Sequence, residues 1–168
     1  MHQRKAYYIS AEYLIGRMVY NNLFAMGVLD DAKALLAEKG VDLKQHPSVD
    51  LREYIYDMAT VMRAADLVLS RAGASTISEL TALGIPAILV PSPNVTNNHQ
   101  EKNAQVLADA GGVVMGRESE CSGKKLFELS AQILKDEVRQ REMSNAMLTL
   151  GVPGAAELIL ETVLSLRK

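Results

Sequence analysis

What this sequence has little of narrows it first. It holds one cysteine, Cys121, in 168 residues, so no internal disulfide framework can form, and that usage fits a reducing compartment. No uninterrupted apolar run approaches the roughly 20 residues that a bilayer-spanning helix needs. The opening MHQRKAYYISAEY lacks the apolar stretch of a signal peptide. Neither sign of charge dominates: the formal net charge is −2, which gives no electrostatic reason to expect nucleic acid as a partner. Internal repeats and low-complexity segments are absent. Ser10, Ser70 and Ser75 have no G-x-S-x-G context around them. No cysteine or second histidine stands at ligand spacing from His99, which argues against a metal site. The expectation from these absences is a cytoplasmic domain with no signal peptide, no transmembrane segment and no cofactor of its own.

What is present describes an ordinary globular domain. Hydrophobic residues make up 48% and charged ones 23% of a length that can bury a real core. A strand over Ala6–Ala11 is followed by helical stretches at about 16–26 and 29–40. Asp30 and Asp31 open the second of these and Gly40 closes it, the expected helix punctuation. A polar connector with Pro47 leads to a regular rhythm: a short strand VDLREYI, helix YDMATVMRAA, strand ADLVLS, helix TISELTALG, strand PAILVP. A long loop, the helix HQEKNAQVLADAG and the strand GGVVMG come next, and the chain from about Ser122 is helical. ADLVLS is a continuous apolar run of the kind that a strand buried on both faces shows. Strands alternating with helices predict an α/β fold, a parallel sheet with helices on both faces.

In such a sheet, ligands bind beyond the carboxyl ends of the strands, where helix N-termini present backbone N–H groups. Two loops occupy that position. In the first, Ser70 to Thr76, Gly73 and Ala74 leave room for a phosphate to approach the backbone. Ser75 follows them, and Thr76 adds a hydroxyl at a helix end whose dipole favours a diphosphate. Glu79, one turn further, can accept hydrogen bonds from the vicinal hydroxyls of a ribose. The same segment also reads as a capping box, with Thr76 as N-cap and Glu79 reaching back. The second loop runs from Pro91 to Gln100 and is dense in neutral amides, which suit sugar hydroxyls. There Asn97 or Asn98 equally reads as a helix cap, and His99 as a solvated loop histidine. Cys121 lies near lysines that can lower a thiol pKa, but reads better as a bystander.

The joined pattern SRAGASTISEL…PAILVPSP…NHQEKNA, with LGVPGAAELILETVLSL at the end, resembles the C-terminal domain of the MurG-type peptidoglycan N-acetylglucosaminyltransferases of glycosyltransferase family 28. The likeness covers about 49–168, and the domain is drawn over 44–168. It implies a Rossmann-like sheet, one half of a GT-B glycosyltransferase fold, ending in C-terminal helices. It implies UDP-GlcNAc as donor substrate, an inverting reaction without a catalytic metal, and a lipid-linked acceptor at the inner face of the cell membrane. Carried onto this sequence, Ile55 borders the uracil, and Gly73, Ala74, Ser75 and Thr76 hold the diphosphate. Glu79 binds the ribose, and Gln100 binds GlcNAc with His99 and Asn103 beside it. The family's catalytic base, acceptor domain and glycine-rich GGS-type loop have no counterpart here, so the expectation is a donor half that is inactive alone and needs an acceptor domain or subunit.

A different likeness covers the start. RKAYYISAEYLIGRMVYNNL resembles a segment near the N-terminus of glycogen and maltodextrin phosphorylases. That segment carries neither the pyridoxal phosphate lysine nor the main catalytic residues of the family, so no activity transfers. Residues 1–43 are therefore set apart as a strand-helix-helix segment, the whole reading as a chimera or fusion. Its strand is expected to stand in for the donor domain's opening strand.

Overall fold

The computed structural model describes residues 6–8 and 55–166. The helices expected at 16–26 and 29–40, and the strand at 49–55 except Ile55, lie outside the described residues. Among the described residues, four parallel strands form one sheet in the order of the chain: β1 (Ala6–Tyr8), β2 (Leu67–Ser70), β3 (Ala87–Leu89) and β4 (Val113–Met115). β1 pairs in register with β2, Ala6 opposite Leu67 and Tyr8 opposite Leu69. β2 pairs with β3 and β3 with β4 in the same sense. The described helices are α1 (Met58–Arg63), α2 (Ala74–Leu83), α3 (His99–Asp109), α4 (Gly123–Lys135), α5 (Glu137–Leu150) and α6 (Ala155–Ser165).

The two-residue period of the strands sorts side chains into two cores. Val68, Ala87, Leu89 and Val113 face one way, against Met62 of α1, Leu80 of α2, Leu107 of α3 and Met147 of α5. Leu67, Ile88 and Val90 face the other way, against Cys121, Leu126 and Ile133 of α4 and Met143 of α5. A strand buried on both faces must be apolar throughout, which is why PAILVP reads as an unbroken run.

Capping sets where the helices stop. Gly84, at φ 65°, takes the left-handed conformation after α2. There the Ile85 N–H donates to the Leu80 carbonyl at 3.0 Å and the Gly84 N–H to Thr81 at 3.3 Å, the paired bonds of a Schellman ending. A Cβ at Gly84 would also lie 2.6 Å from Leu148 Cγ of α5, so the same glycine admits the helix that covers it. Ser122 caps α4 by accepting from the Lys125 N–H at 3.2 Å, and Asp136 caps α5 by accepting from Arg139 at 3.0 Å.

The last helix behaves differently. The stretch Glu137–Ser165 is long and apolar enough, by length and composition, to cross a membrane, which the sequence reading had not expected. It is not one helix: it breaks at Gly151–Gly154 between α5 and α6. α5 is packed into both cores. α6 has 11 residues, a rise of about 16 Å against the roughly 30 Å of a hydrocarbon core. No residue of α6 is buried.

Candidate functional site

Because all four strands are parallel, the loops after β2, β3 and β4 gather at one edge of the sheet. The buried polar side chains gather there too. Of the five among the described residues, Ser70, Arg71, Thr76 and Gln100 belong to these loops and the helix starts they lead into, while only Thr81 sits mid-helix. Buried polar groups cost free energy unless partnered, so their concentration marks this edge as something other than core.

The first loop enters α2 through Gly73, whose extended backbone (φ −68°, ψ 146°) makes it the N-cap. This corrects the capping-box alternative: Thr76 is the third residue of α2, not its cap, and no side chain caps this end. The helix starts earlier because nothing in Ala74-Ser75 resists helical backbone. Ala74 and Ser75 are exposed at the first turn, where N–H groups have no intrahelical partner and the dipole is positive. Thr76 is fully buried. Glu79 is exposed on the same helix, and Ile55 lies half-buried in the segment before α1.

The second loop is held in an uncommon shape. Asn97 and Asn98 both have positive φ, 56° and 52°, a region that asparagine tolerates better than other non-glycine residues. The Asn98 amide donates to the Glu101 carboxylate. His99 is exposed, with Nδ1 donating to the Thr96 carbonyl at 3.0 Å. Gln100 is buried, and its Oε1 accepts from the Ser92 N–H at 2.9 Å, so its side chain fastens the loop from inside. Asn103 follows one turn on, half-buried.

The sequence reading missed two residues here. Arg71 is buried behind the first loop, its Nη1 donating to the carbonyls of Val90 at 3.1 Å and Pro91 at 3.3 Å. The same nitrogen meets Glu118 Oε2 at 2.5 Å. An arginine at the end of an apolar strand was the available signal for Arg71, since a charge there must find partners. Glu118, in a polar turn after β4, gave none. A cavity of about 500 Å³ opens between the second and third loops, lined by Pro91, Ser92, Pro93, Arg117 and Glu118 among others. It adjoins the second loop and not the start of α2, so the predicted diphosphate residues and the cavity do not coincide. The loop-and-helix-end geometry is the better guide to a diphosphate, because the groups that would bind it are exposed backbone and not a concavity.

Cys121 is buried against α4, and burial pushes its thiol pKa up, with nearby Lys125 only partly opposing that. The bystander reading fits this environment. Among the described residues, no group of three or more His, Cys, Asp or Glu side chains is placed to hold a metal ion.

The model of the glycosyltransferase family 28 C-terminal domain matches residues 19–159. The chain belongs to glycosyltransferase family 28. The match begins upstream of residue 44, where the sequence reading opened the donor domain. A relative from Exiguobacterium sibiricum, a UDP-N-acetylglucosamine--N-acetylmuramyl-(pentapeptide) pyrophosphoryl-undecaprenol N-acetylglucosamine transferase, is 47% identical over 118 residues, 70% of this chain and 32% of its own length. The enzyme of the same description from Lactococcus lactis subsp. cremoris is 37% identical over 145 residues, 85% of this chain and 40% of its own. The chain thus spans between about a third and two fifths of these family 28 relatives. The crystal structure of Acinetobacter baumannii MurG superposes with a TM-score of 0.67 at 26% identity, covering 81% of this chain and 40% of that one. The glycosyltransferase of kitacinnamycin, at 18% identity and a TM-score of 0.64 over 95% of this chain and 43% of its own, shares the fold. The parallel sheet with its helices is one half of a GT-B glycosyltransferase fold.

Proposed function

We propose that this family 28 chain is the UDP-GlcNAc-binding half of an inverting N-acetylglucosaminyltransferase that makes the lipid-linked peptidoglycan precursor. The observation that carries the reading is the carboxyl edge of the sheet. There a helix N-terminus with small exposed residues stands beside a loop of neutral amides, over buried polar side chains. In this reading Ala74, Ser75 and Thr76 with Gly73 take the diphosphate, Glu79 the ribose, and Ile55 the uracil through its backbone. Gln100, His99 and Asn103 take the sugar, and the Ser92 N–H donated to Gln100 Oε1 holds that side chain in place. No metal or cofactor is called for, the donor itself bringing the leaving group. General-base chemistry and the acceptor cradle belong to an acceptor domain or subunit, so the donor half is inactive by itself. The acceptor's lipid places the working complex at the inner membrane face.

A specific observation favours a module that docks onto such an acceptor partner. α6 carries Leu158, Ile159, Leu160, Val163 and Leu164, each more than half exposed, and an apolar surface of that kind marks an interaction site. A third reading, an α-glucan phosphorylase fragment, starts from the resemblance of residues 3–40, and the absence there of any pyridoxal phosphate site argues against it. A pyridoxal phosphate absorbance band in the purified protein would favour it.

Calorimetric titration with UDP-GlcNAc, UDP-glucose and UDP tests the main reading. Saturable binding that prefers UDP-GlcNAc is expected. Glu79→Ala should weaken it by roughly tenfold or more, the loss of a charged hydrogen-bond acceptor. A cooperatively folded chain that binds none of the three would end the proposal.

A further inference from the structure

The third loop of the carboxyl edge, between β4 and α4, contributes no residue to the donor contacts proposed above, yet buried charge ties it to both loops that do. Arg71 leaves β2 and stands two residues before Gly73, the cap of the diphosphate helix. Its side chain is 4% exposed and its Glu118 partner 25%. The carbonyls it holds, Val90 and Pro91, begin the second loop. The residue after Pro91 is Ser92, whose N–H goes to Gln100. A single polar chain therefore runs from Glu118 through Arg71 and the Pro91–Ser92 backbone to Gln100.

We propose that the Arg71–Glu118 pair is a positioning device that sets the sugar-reading loop against the diphosphate helix, so that recognition of the donor sugar depends on the third loop. The inference rests on the donor-site reading above. Its physical basis is the mismatch between what this pair offers stability and where it sits. A part-buried ion pair forfeits the hydration of Arg71 and part of that of Glu118, and apolar replacements of such pairs are often as stable. A group that must be held within about half an ångström to recognise a ligand needs such locked support. Arginine suits the task because its charge is weakly hydrated and can be buried while the one nitrogen, Nη1, meets Glu118 and both carbonyls, whereas the strongly hydrated ammonium of lysine is costlier to bury. A plain structural staple would act on every ligand of the site alike. A positioning device acts on the sugar and spares the nucleotide.

The test compares the affinities of the full chain for UDP-GlcNAc and for UDP in the wild type and in Glu118→Gln, Glu118→Asp and Arg71→Lys. Glu118→Gln keeps the shape of the pair and removes its charge. Glu118→Asp keeps the charge and shortens the reach, and covers the case in which the glutamine variant does not fold. Arg71→Lys keeps the charge but carries it on a more strongly hydrated ammonium that is costlier to bury. In each folded variant, UDP-GlcNAc affinity is expected to fall about tenfold while UDP affinity stays within about twofold. Hydrogen exchange should quicken across 92–100 and stay unchanged across 74–83. Equal losses for both ligands, or no loss in a variant with intact thermal unfolding, would overturn the proposal. A cooperatively folded wild-type chain that binds neither UDP-GlcNAc nor UDP would instead remove the donor reading, and this inference with it, in the first arm of the experiment.

Discussion

The segment Ile85–Val90 and the helix α6 are both built mainly of aliphatic residues, and their surroundings are opposite. In the first, Ile85, Ala87, Ile88, Leu89 and Val90 are at most 4% exposed, with helices packed over both faces of β3. In α6, five aliphatic side chains are each more than half exposed. The difference teaches that apolar composition states a demand for burial without saying who meets it. β3 is satisfied by its own domain: its odd and even residues each find a core. Among the described residues α6 presents exposed aliphatic side chains and no neighbour that covers them, which is what a donor half docking on a second domain or subunit would need.

The comparison breaks most directly at Ile88. Ile88→Ala removes buried volume between β3 and α4 and is expected to cost about 2–5 kcal/mol, read from urea unfolding. A loss below about 1 kcal/mol would mean that the two-sided packing of β3 is looser than its burial indicates.

A second experiment sharpens the contrast from the α4 side of the sheet, where Cys121 is buried. Its folded pKa is raised by burial, so the folded state holds the thiol proton more tightly than the unfolded chain does. That contribution to stability is fully present below the ordinary thiol pKa of about 8.5. It is lost as pH rises from there through the raised folded value. Unfolding midpoints should decline over that alkaline window more in the wild type than in Cys121→Val, and iodoacetamide should modify the native thiol far more slowly than the urea-unfolded one.

The smallest effect belongs to α6. Ile159→Ser with Val163→Ser should change the stability of the chain by no more than about 0.5 kcal/mol, as for exposed sites elsewhere. A cost rivalling that of Ile88→Ala would show that α6 is packed in solution. The comparison would then fail, and with it the argument for a docking helix.

Much of the candidate edge was legible because it rests on local pattern. Gly73 and Ala74 before a helix, and a proline-bracketed amide loop before another, can be seen in the letters alone. Thr76 was visible but mislocated: T-x-x-E is a capping signature wherever it falls, and only the structure shows α2 beginning two residues earlier. Gln100 was legible as a polar group near a helix start, not as a buried one that holds Ser92. Glu118 was invisible, since its partner lies 47 residues away in the chain and nothing within a turn of Glu118 betrays it.

By itself the sequence determined the alternation of strands and helices from Ala65 to Leu150 and the parallel sheet they build. Those follow from period, capping and turn residues acting over a few positions. The tertiary structure alone decided which polar groups are buried at the carboxyl edge, how Arg71 binds the three loops together, and that none of the described residues buries α6. Burial is a property of what arrives from elsewhere in the chain, and no local pattern carries that information.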